Sequence, residues 1–173
     1  MVDGEDRRIF LVGMMGSGKT TVGHELAART GWRYVDNDEL VRAGTGREPA
    51  DIRATEGEDV LHLAEEDALD AALGLPLPVI VGVAAAIVAD PAVREALREG
   101  GDVVWLRAKP ETLLKRIGSG AGRRAEATDP EWTRKRSAER EPLYAAVASQ
   151  IIDVDALEPA AVAERIIEGL DQT

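Results

Sequence analysis

Near the start of the chain, Gly13-Met14-Met15-Gly16-Ser17-Gly18-Lys19-Thr20 spells G-x-x-x-x-G-K-T, and the apolar run Ile9-Phe10-Leu11-Val12 leads directly into it. Residues of these types in this order hold phosphate. Glycines let the backbone curl until its N–H groups converge on phosphate oxygens. A helix opening near Gly18 adds its free N–H groups and the positive end of its dipole. Lys19 reaches the terminal phosphates, and the Thr20 hydroxyl is placed to hold Mg²⁺. The candidate nucleotide-binding residues are Gly13, Met15, Gly16, Ser17, Gly18, Lys19, Thr20 and Thr21. Their ligand is a nucleoside triphosphate.

Two other stretches could do chemistry beside that loop. The run Arg33-Tyr34-Val35 ends in Asp36-Asn37-Asp38-Glu39. Acids spaced by one residue at the carboxyl end of a parallel strand stand where open α/β sheets bind ligands. Asp38 also suits the cap of the helix that begins there, so capping, metal binding and base chemistry are all open to it. The stretch Gly118-Ser119-Gly120-Ala121-Gly122-Arg123-Arg124-Ala125 is small and locally basic in an acidic chain. That composition describes either a mobile flap closing on anions or a plain exposed loop.

The elements that must position these residues alternate regularly. The spacing predicts strands near 8–12, 33–35, 79–83, 103–106 and 151–154. Most are continuously apolar, as buried parallel strands are. Helices are predicted over 19–30, from about 38, over 50–55, 58–73, 91–98, 110–117, 129–148 with a break near Pro142, and 159–170. In the 58–73 helix, Leu61, Ala64, Ala68 and Ala72 form the apolar stripe, and Glu65, Glu66, Asp67 and Asp70 read as a solvated face. His24 reads as a solvated helix histidine. Together these elements predict an α/β fold of three layers, a five-stranded parallel sheet with helices on both faces, in a single domain over 1–173.

Composition narrows the partners. A net charge of −11 opposes nucleic-acid and anionic-membrane surfaces. There is no cysteine, hence neither disulfide nor thiolate metal site, which suits a reducing, cytoplasmic setting. Residues 1–8 are charged and lack a signal peptide's apolar core, and no apolar run is long enough to span a bilayer. Aromatics are only 3% of residues, so Ala, Val, Leu and Ile must build the core.

Ile9 to Gly23 resembles the opening of shikimate kinases, and the resemblance covers nearly the whole chain. Tyr34-Val35-Asp36-Asn37-Asp38 matches the family's D-x-D strand end, and Glu56-Gly57-Glu58 its G-E turn. Val103-Val104-Trp105-Leu106 matches a core strand, and Arg140-Glu141-Pro142-Leu143-Tyr144 the R-x-P-L-Y segment. The resemblance implies a P-loop kinase with a mobile lid over about 118–128 and substrate-binding helices over about 37–73. It implies phosphoryl transfer from ATP, with Mg²⁺, to a hydroxyl of a small ring-shaped acid, by an enzyme working as a monomer. Carried over by position, Gly16, Gly18 and Lys19 hold phosphate, Thr20 ligates Mg²⁺ with Asp36 behind it, and Asp38 takes the acceptor's proton. Arg116 lies by the adenine, Arg124 or Arg123 meets the transferring phosphate, and Arg140 binds the substrate carboxylate.

The departures cluster on the acceptor side. Where the family has F-R-x-x-E, this chain has Leu61-His62-Leu63-Ala64-Glu65, placing His62 in the arginine's position. A guanidinium grips a carboxylate with two parallel bonds, whereas an imidazole offers one. Where the family reads A-T-G-G-G-A, this chain reads Val81-Gly82-Val83-Ala84-Ala85-Ala86, so side chains at Val83, Ala84 and Ala85 crowd the space beside substrate, with backbone strain wherever φ is positive. Arg124-Ala125-Glu126-Ala127 replaces R-P-L-L in the lid. Shikimate is the leading acceptor. A different polyol or cyclitol, or a nucleotide-binding role without turnover, are the alternatives, and a nucleoside monophosphate or gluconate kinase fits the D-x-D and R-x-P-L-Y segments less well. Lys19→Ala is expected to abolish tight ATP binding, as measured by calorimetry. Unchanged affinity would remove the phosphate-loop assignment.

Overall fold

A computed structural model describes residues 6–118 and 125–172. Its centre is β1 (Arg8–Val12), flanked in parallel by β3 (Val79–Gly82) and β4 (Asp102–Arg107). The outer strands are β2 (Arg33–Asp36) and β5 (Gln150–Asp153), giving the order β2-β3-β1-β4-β5, all parallel. Parallel strands need crossovers, and the helices supply them on both faces.

The strand register assigns the faces. Tyr34, Ile80 and Ile9 align across the sheet, as do Val35, Val81, Phe10 and Val103 one residue on. Side chains alternate along a strand, so these two sets point oppositely. Against the first lies α1 (Lys19–Thr30), whose Gly23 backs directly onto the Tyr34 ring, with α8 (Pro159–Leu170) beside it. Against the second lie α5 (Pro91–Gly100), whose Gly100 abuts the Phe10 ring, and α7 (Pro130–Val147), whose Tyr144 packs 5.7 Å from Trp105. The core is aliphatic, as the composition requires, and Ile9, Phe10, Leu11 and Leu26 are wholly buried.

Three helices depart from the sheet after β2: α2 (Asn37–Thr45), α3 (Pro49–Glu56) and α4 (Glu58–Leu73). They close on a small core of their own, Val41, Ile52, Leu61 and Ala68. After β4 comes α6 (Pro110–Ile117), which packs on α7.

Two local expectations change. The α7 helix runs through Pro142 without a break. Proline removes one backbone bond, but Tyr144 anchors the following turn, its hydroxyl donating to the Ala85 carbonyl at 2.7 Å while its ring lies on Trp105. Val83 falls outside β3, which ends at Gly82. His24 is exposed as expected, with its ring edge-on to Tyr34 at 4.9 Å. Among the described residues no helix is long and apolar enough to cross a membrane. Of the expected lid, only Gly118 and the 3₁₀ turn Ala125–Thr128 are described. Arg123 and Arg124 lie outside the described residues.

Gly23 is where sequence and packing meet most tightly, because a methyl there would enter the Tyr34 ring. Gly23→Ala is expected to destabilise the fold by about 1–3 kcal/mol, the usual cost of overpacking. Urea unfolding measures it, and an unchanged midpoint would mean that Tyr34 yields freely.

Candidate active site

The site forms where the carboxyl ends of the strands meet the loop between β1 and α1. Gly13, Gly16 and Gly18 have φ of 146°, 87° and 99°, a region that side chains other than glycine rarely enter. At Gly13 the space is closed as well, since a Cβ would lie 2.7 Å from the Leu106 carbonyl oxygen. Lys19 arches back over the loop it follows, its Nζ donating to the carbonyls of Gly13 at 2.7 Å and Met14 at 3.2 Å. Its charge is thereby held over the loop. Ser17 is buried beneath, 1% exposed.

Asp36 ties this loop to β2 and α2. Its Oδ2 accepts from the Thr20 hydroxyl at 3.0 Å and from the Tyr34 hydroxyl at 2.9 Å, and its Oδ1 accepts from the Asp38 backbone N–H at 3.0 Å. The cap of α2 is therefore Asp36, and the capping role open to Asp38 in the sequence is excluded. Asp38 stands instead in the first turn of α2, its carboxyl left for the cavity. Burial, and next the negative charge of Asp36, raise the Asp38 pKa above the ordinary carboxylate value. Burial and the same Asp36 charge push the Tyr34 phenol far above its usual range, so it stays a hydrogen-bond donor.

Two cavities meet at Asp38. One, of about 510 Å³, is lined by Gly16, Gly18, Lys19, Thr20, Asp36 and Arg116. The other, of about 450 Å³, is lined by Arg53, Ala86, Trp132 and Arg140 among others. Met15, Asp38, Glu65 and Ala85 line both. A third, of about 440 Å³, continues past the loop from Thr21 and Arg116 along Val154 to Pro159. Arg116 is fixed at that junction, donating to the carbonyls of Ser17 at 3.3 Å and Val154 at 3.1 Å.

The structure thus brings together the loop, Thr20, Asp36, Asp38, Arg116 and Arg140, the last with its Nη1 3.6 Å from the Met14 sulfur. It places other expected residues differently. His62 does not line either cavity: its Nε2 faces Glu58 Oε2 at 3.4 Å, one turn back along α4. Val83 and Ala84 line the phosphate-side cavity. No non-glycine residue described has positive φ, so the strain expected at Val83 to Ala85 does not arise, and the alanine methyls occupy space without bending the chain. Glu65, read as part of a solvated face, is only 9% exposed and lies between the cavities. The signal was available, since Leu61, Glu65, Ala68 and Ala72 share one helical stripe, and only its charge argued against burial. Arg53 and Trp132 were also missed. They enter from α3 and α7, which nothing in the local pattern places beside Asp38.

Thr20 and Asp36 fit a divalent cation by donor type, a hydroxyl and a carboxylate oxygen 3.0 Å apart on the phosphate-side cavity. Among the described residues no cluster of three acidic, histidine or cysteine side chains could hold a metal alone. This donor set suits Mg²⁺, which takes one or two protein oxygens and completes its shell with phosphates and water.

Such a loop, acid pair and bipartite cavity on a 2-3-1-4-5 parallel sheet define a P-loop kinase of small molecules. The shikimate kinase family model matches residues 15–171. Curated relatives include the shikimate kinases of Symbiobacterium thermophilum, 41% identical over 95% of this chain and 96% of the relative, and of Moorella thermoacetica, 40% identical over 94% and 93%. Among solved structures, the shikimate kinase of Acinetobacter baumannii in complex with shikimate superposes with a TM-score of 0.90 at 27% identity, covering 97% of this chain and 95% of that one. A gluconokinase from Sinorhizobium meliloti, at 20% identity and a TM-score of 0.68, shares the fold alone. The chain belongs to the shikimate kinase family. It is an ATP-dependent phosphotransferase that uses ATP and Mg²⁺ and acts on a hydroxyl of a small molecule.

A raised Asp38 pKa has a cost in stability. The fold favours the protonated form, so Asp38's contribution is most favourable below the unfolded pKa and is lost as pH rises through the folded value. Asp38→Asn is accordingly expected to raise the melting temperature at pH 7, with the gain fading as pH falls towards 4. A gain independent of pH would show that its source is not the charge of the Asp38 carboxylate.

Proposed function

We propose that the chain transfers the γ-phosphoryl group of ATP to a hydroxyl of shikimate, with Asp38 orienting that hydroxyl and accepting its proton. The observation that carries this is the position of Asp38 at the meeting of the phosphate-side and acceptor-side cavities, with its proton affinity raised. A base there reaches the acceptor while facing the donor, and a raised pKa brings it nearer the working pH.

The other roles follow from placement. Lys19 and the loop N–H groups hold the phosphates from one side. Thr20 and Asp36 would hold Mg²⁺, which, when bound, neutralises charge developing on the phosphates. Tyr34 keeps the Asp36 carboxylate oriented towards Thr20. The cavity from Arg116 along Val154 to Pro159 takes the nucleoside, with the aliphatic stem and guanidinium of Arg116 against the base. Arg140 binds the acceptor's carboxylate, and Arg124 or Arg123, outside the described residues, is the cation we assign to the transferring phosphate. We read the chain as one kinase domain because its curated relatives match it nearly end to end.

Little covalent work falls to the protein in such a transfer; positioning and charge account for most of the catalysis. Asp38→Asn is expected to lower shikimate-dependent ADP release by roughly 10²–10⁴-fold, the usual worth of a general base, while ATP affinity is unchanged. A fully active variant would remove Asp38 as the base. In the wild type, the acid limb of the kcat profile is expected above the ordinary aspartate range, because only the ionised carboxylate accepts the proton.

A further inference from the structure

The acceptor-side cavity carries a cation that the family resemblance does not account for. Pro49, Ala50 and Arg53 lie on one face of α3, a turn apart, and all three line the cavity. Ile52, 2% exposed and locked into the small core with Val41 and Leu61, fixes the rotation of α3 that puts them there. Neighbouring arginines are satisfied by acids: Arg42 meets Glu48 at 3.2 Å, Arg33 meets Glu39 at 3.4 Å, and Arg47 pairs with Glu56. Arg53 is half-buried, yet among the described residues its guanidinium makes no hydrogen bond or ion pair. Partial burial of an unpaired charge is unfavourable, and a guanidinium kept in that state beside a cavity is suited to an anion that arrives with a ligand.

The histidine in the arginine's place bears on the same point. His62 faces Glu58 and stays off the cavity lining, so α4 supplies no cation there. Arg140 enters the same cavity from α7. We infer that Arg53 is the second guanidinium gripping the acceptor's carboxylate, acting with Arg140 and replacing from α3 the arginine that the resemblance places at position 62. The inference rests on the acceptor being a hydroxylated carboxylic acid, as proposed above. Its chemistry is that of a planar, permanently charged fork meeting two carboxylate oxygens. It also answers how a pocket lacking an arginine at position 62 keeps an anion: the charge has moved one helix back along the chain, and the alanines at 85 and 86 narrow the cavity on another side.

The test compares shikimate with its methyl ester, which keeps the hydroxyls and loses the charge, using calorimetric binding and coupled ADP release on the full chain. The wild type is expected to prefer the acid. Arg53→Gln should raise KM for shikimate roughly tenfold to hundredfold, leave KM for ATP unchanged and kcat within about twofold, and reduce the preference for acid over ester to what Arg140 alone supplies. Arg53→Lys should keep part of that preference, since charge survives without the fork. An Arg53→Gln protein that still prefers the acid as strongly as the wild type overturns the role of Arg53 and leaves the acceptor assignment standing. Wild-type protein that binds ATP but neither binds nor phosphorylates shikimate overturns the acceptor assignment and this inference together.

Discussion

The Asp36 carboxylate is the joint on which the site depends. It gathers the Thr20 hydroxyl from the phosphate loop's helix, the Tyr34 hydroxyl from its own strand, and the backbone N–H of Asp38 at the start of α2. The helix of the phosphate loop is thereby tied to the junction of β2 and α2. The arrangement needs room for the Tyr34 ring, and two glycines provide it: Gly23 on α1 behind the ring, and Gly82 at the end of β3, where a Cβ would lie 2.5 Å from the hydroxyl. It needs a capping acid, and Asp36 fills that role, so Asp38 carries no structural duty and remains available for chemistry. Two acids one residue apart thus take separate parts, one as hydrogen-bond hub and one as a carboxyl facing the cavities whose proton is held more firmly.

Beyond that joint the molecule divides into a donor half and an acceptor half with different physical character. The donor half is backbone chemistry: positive-φ glycines, a lysine folded over its own loop, and the first turn of α1. Such a site tolerates little change, because each N–H is placed by the main chain. The acceptor half is built of side chains from helices that leave the sheet. Those helices have a separate small core, Val41, Ile52, Leu61 and Ala68, so they can keep their packing while the residues facing the cavity are exchanged. Along the rest of the acceptor half, Ala85 stands in the cavity lining where the resemblance has a glycine, and His62 has left it.

Much of the fold was legible before the structure. The strands read correctly because parallel, doubly covered strands are continuously apolar, and α1, α4 and α8 read to the residue because glycine or proline marks their ends. What failed did so for a physical reason. Pro142 argues for a break that the anchorage of Tyr144 on Ala85 and Trp105 overrides. Glu65 argues for solvent because it is charged, although its place on the stripe with Leu61 and Ala68 argues for burial, and the stripe prevailed. At the end of β2 the sequence offered Asp38 as a cap, and only the backbone geometry there gives that role to Asp36.

By itself, then, the sequence determined the nucleotide half of this protein. The phosphate loop is contiguous, and the chemistry of a contiguous motif is set by residue order and local dihedral angles. The acceptor half is assembled from α2, α3, α4, the segment after β3, and α7, whose side chains meet only after the sheet has formed and the small core of α2 to α4 has closed. That His62 turns away along α4 while Arg53 faces the cavity from α3 follows from which side of each helix is buried against its neighbours. Those rotations are products of long-range packing, and no local pattern in the chain carries them.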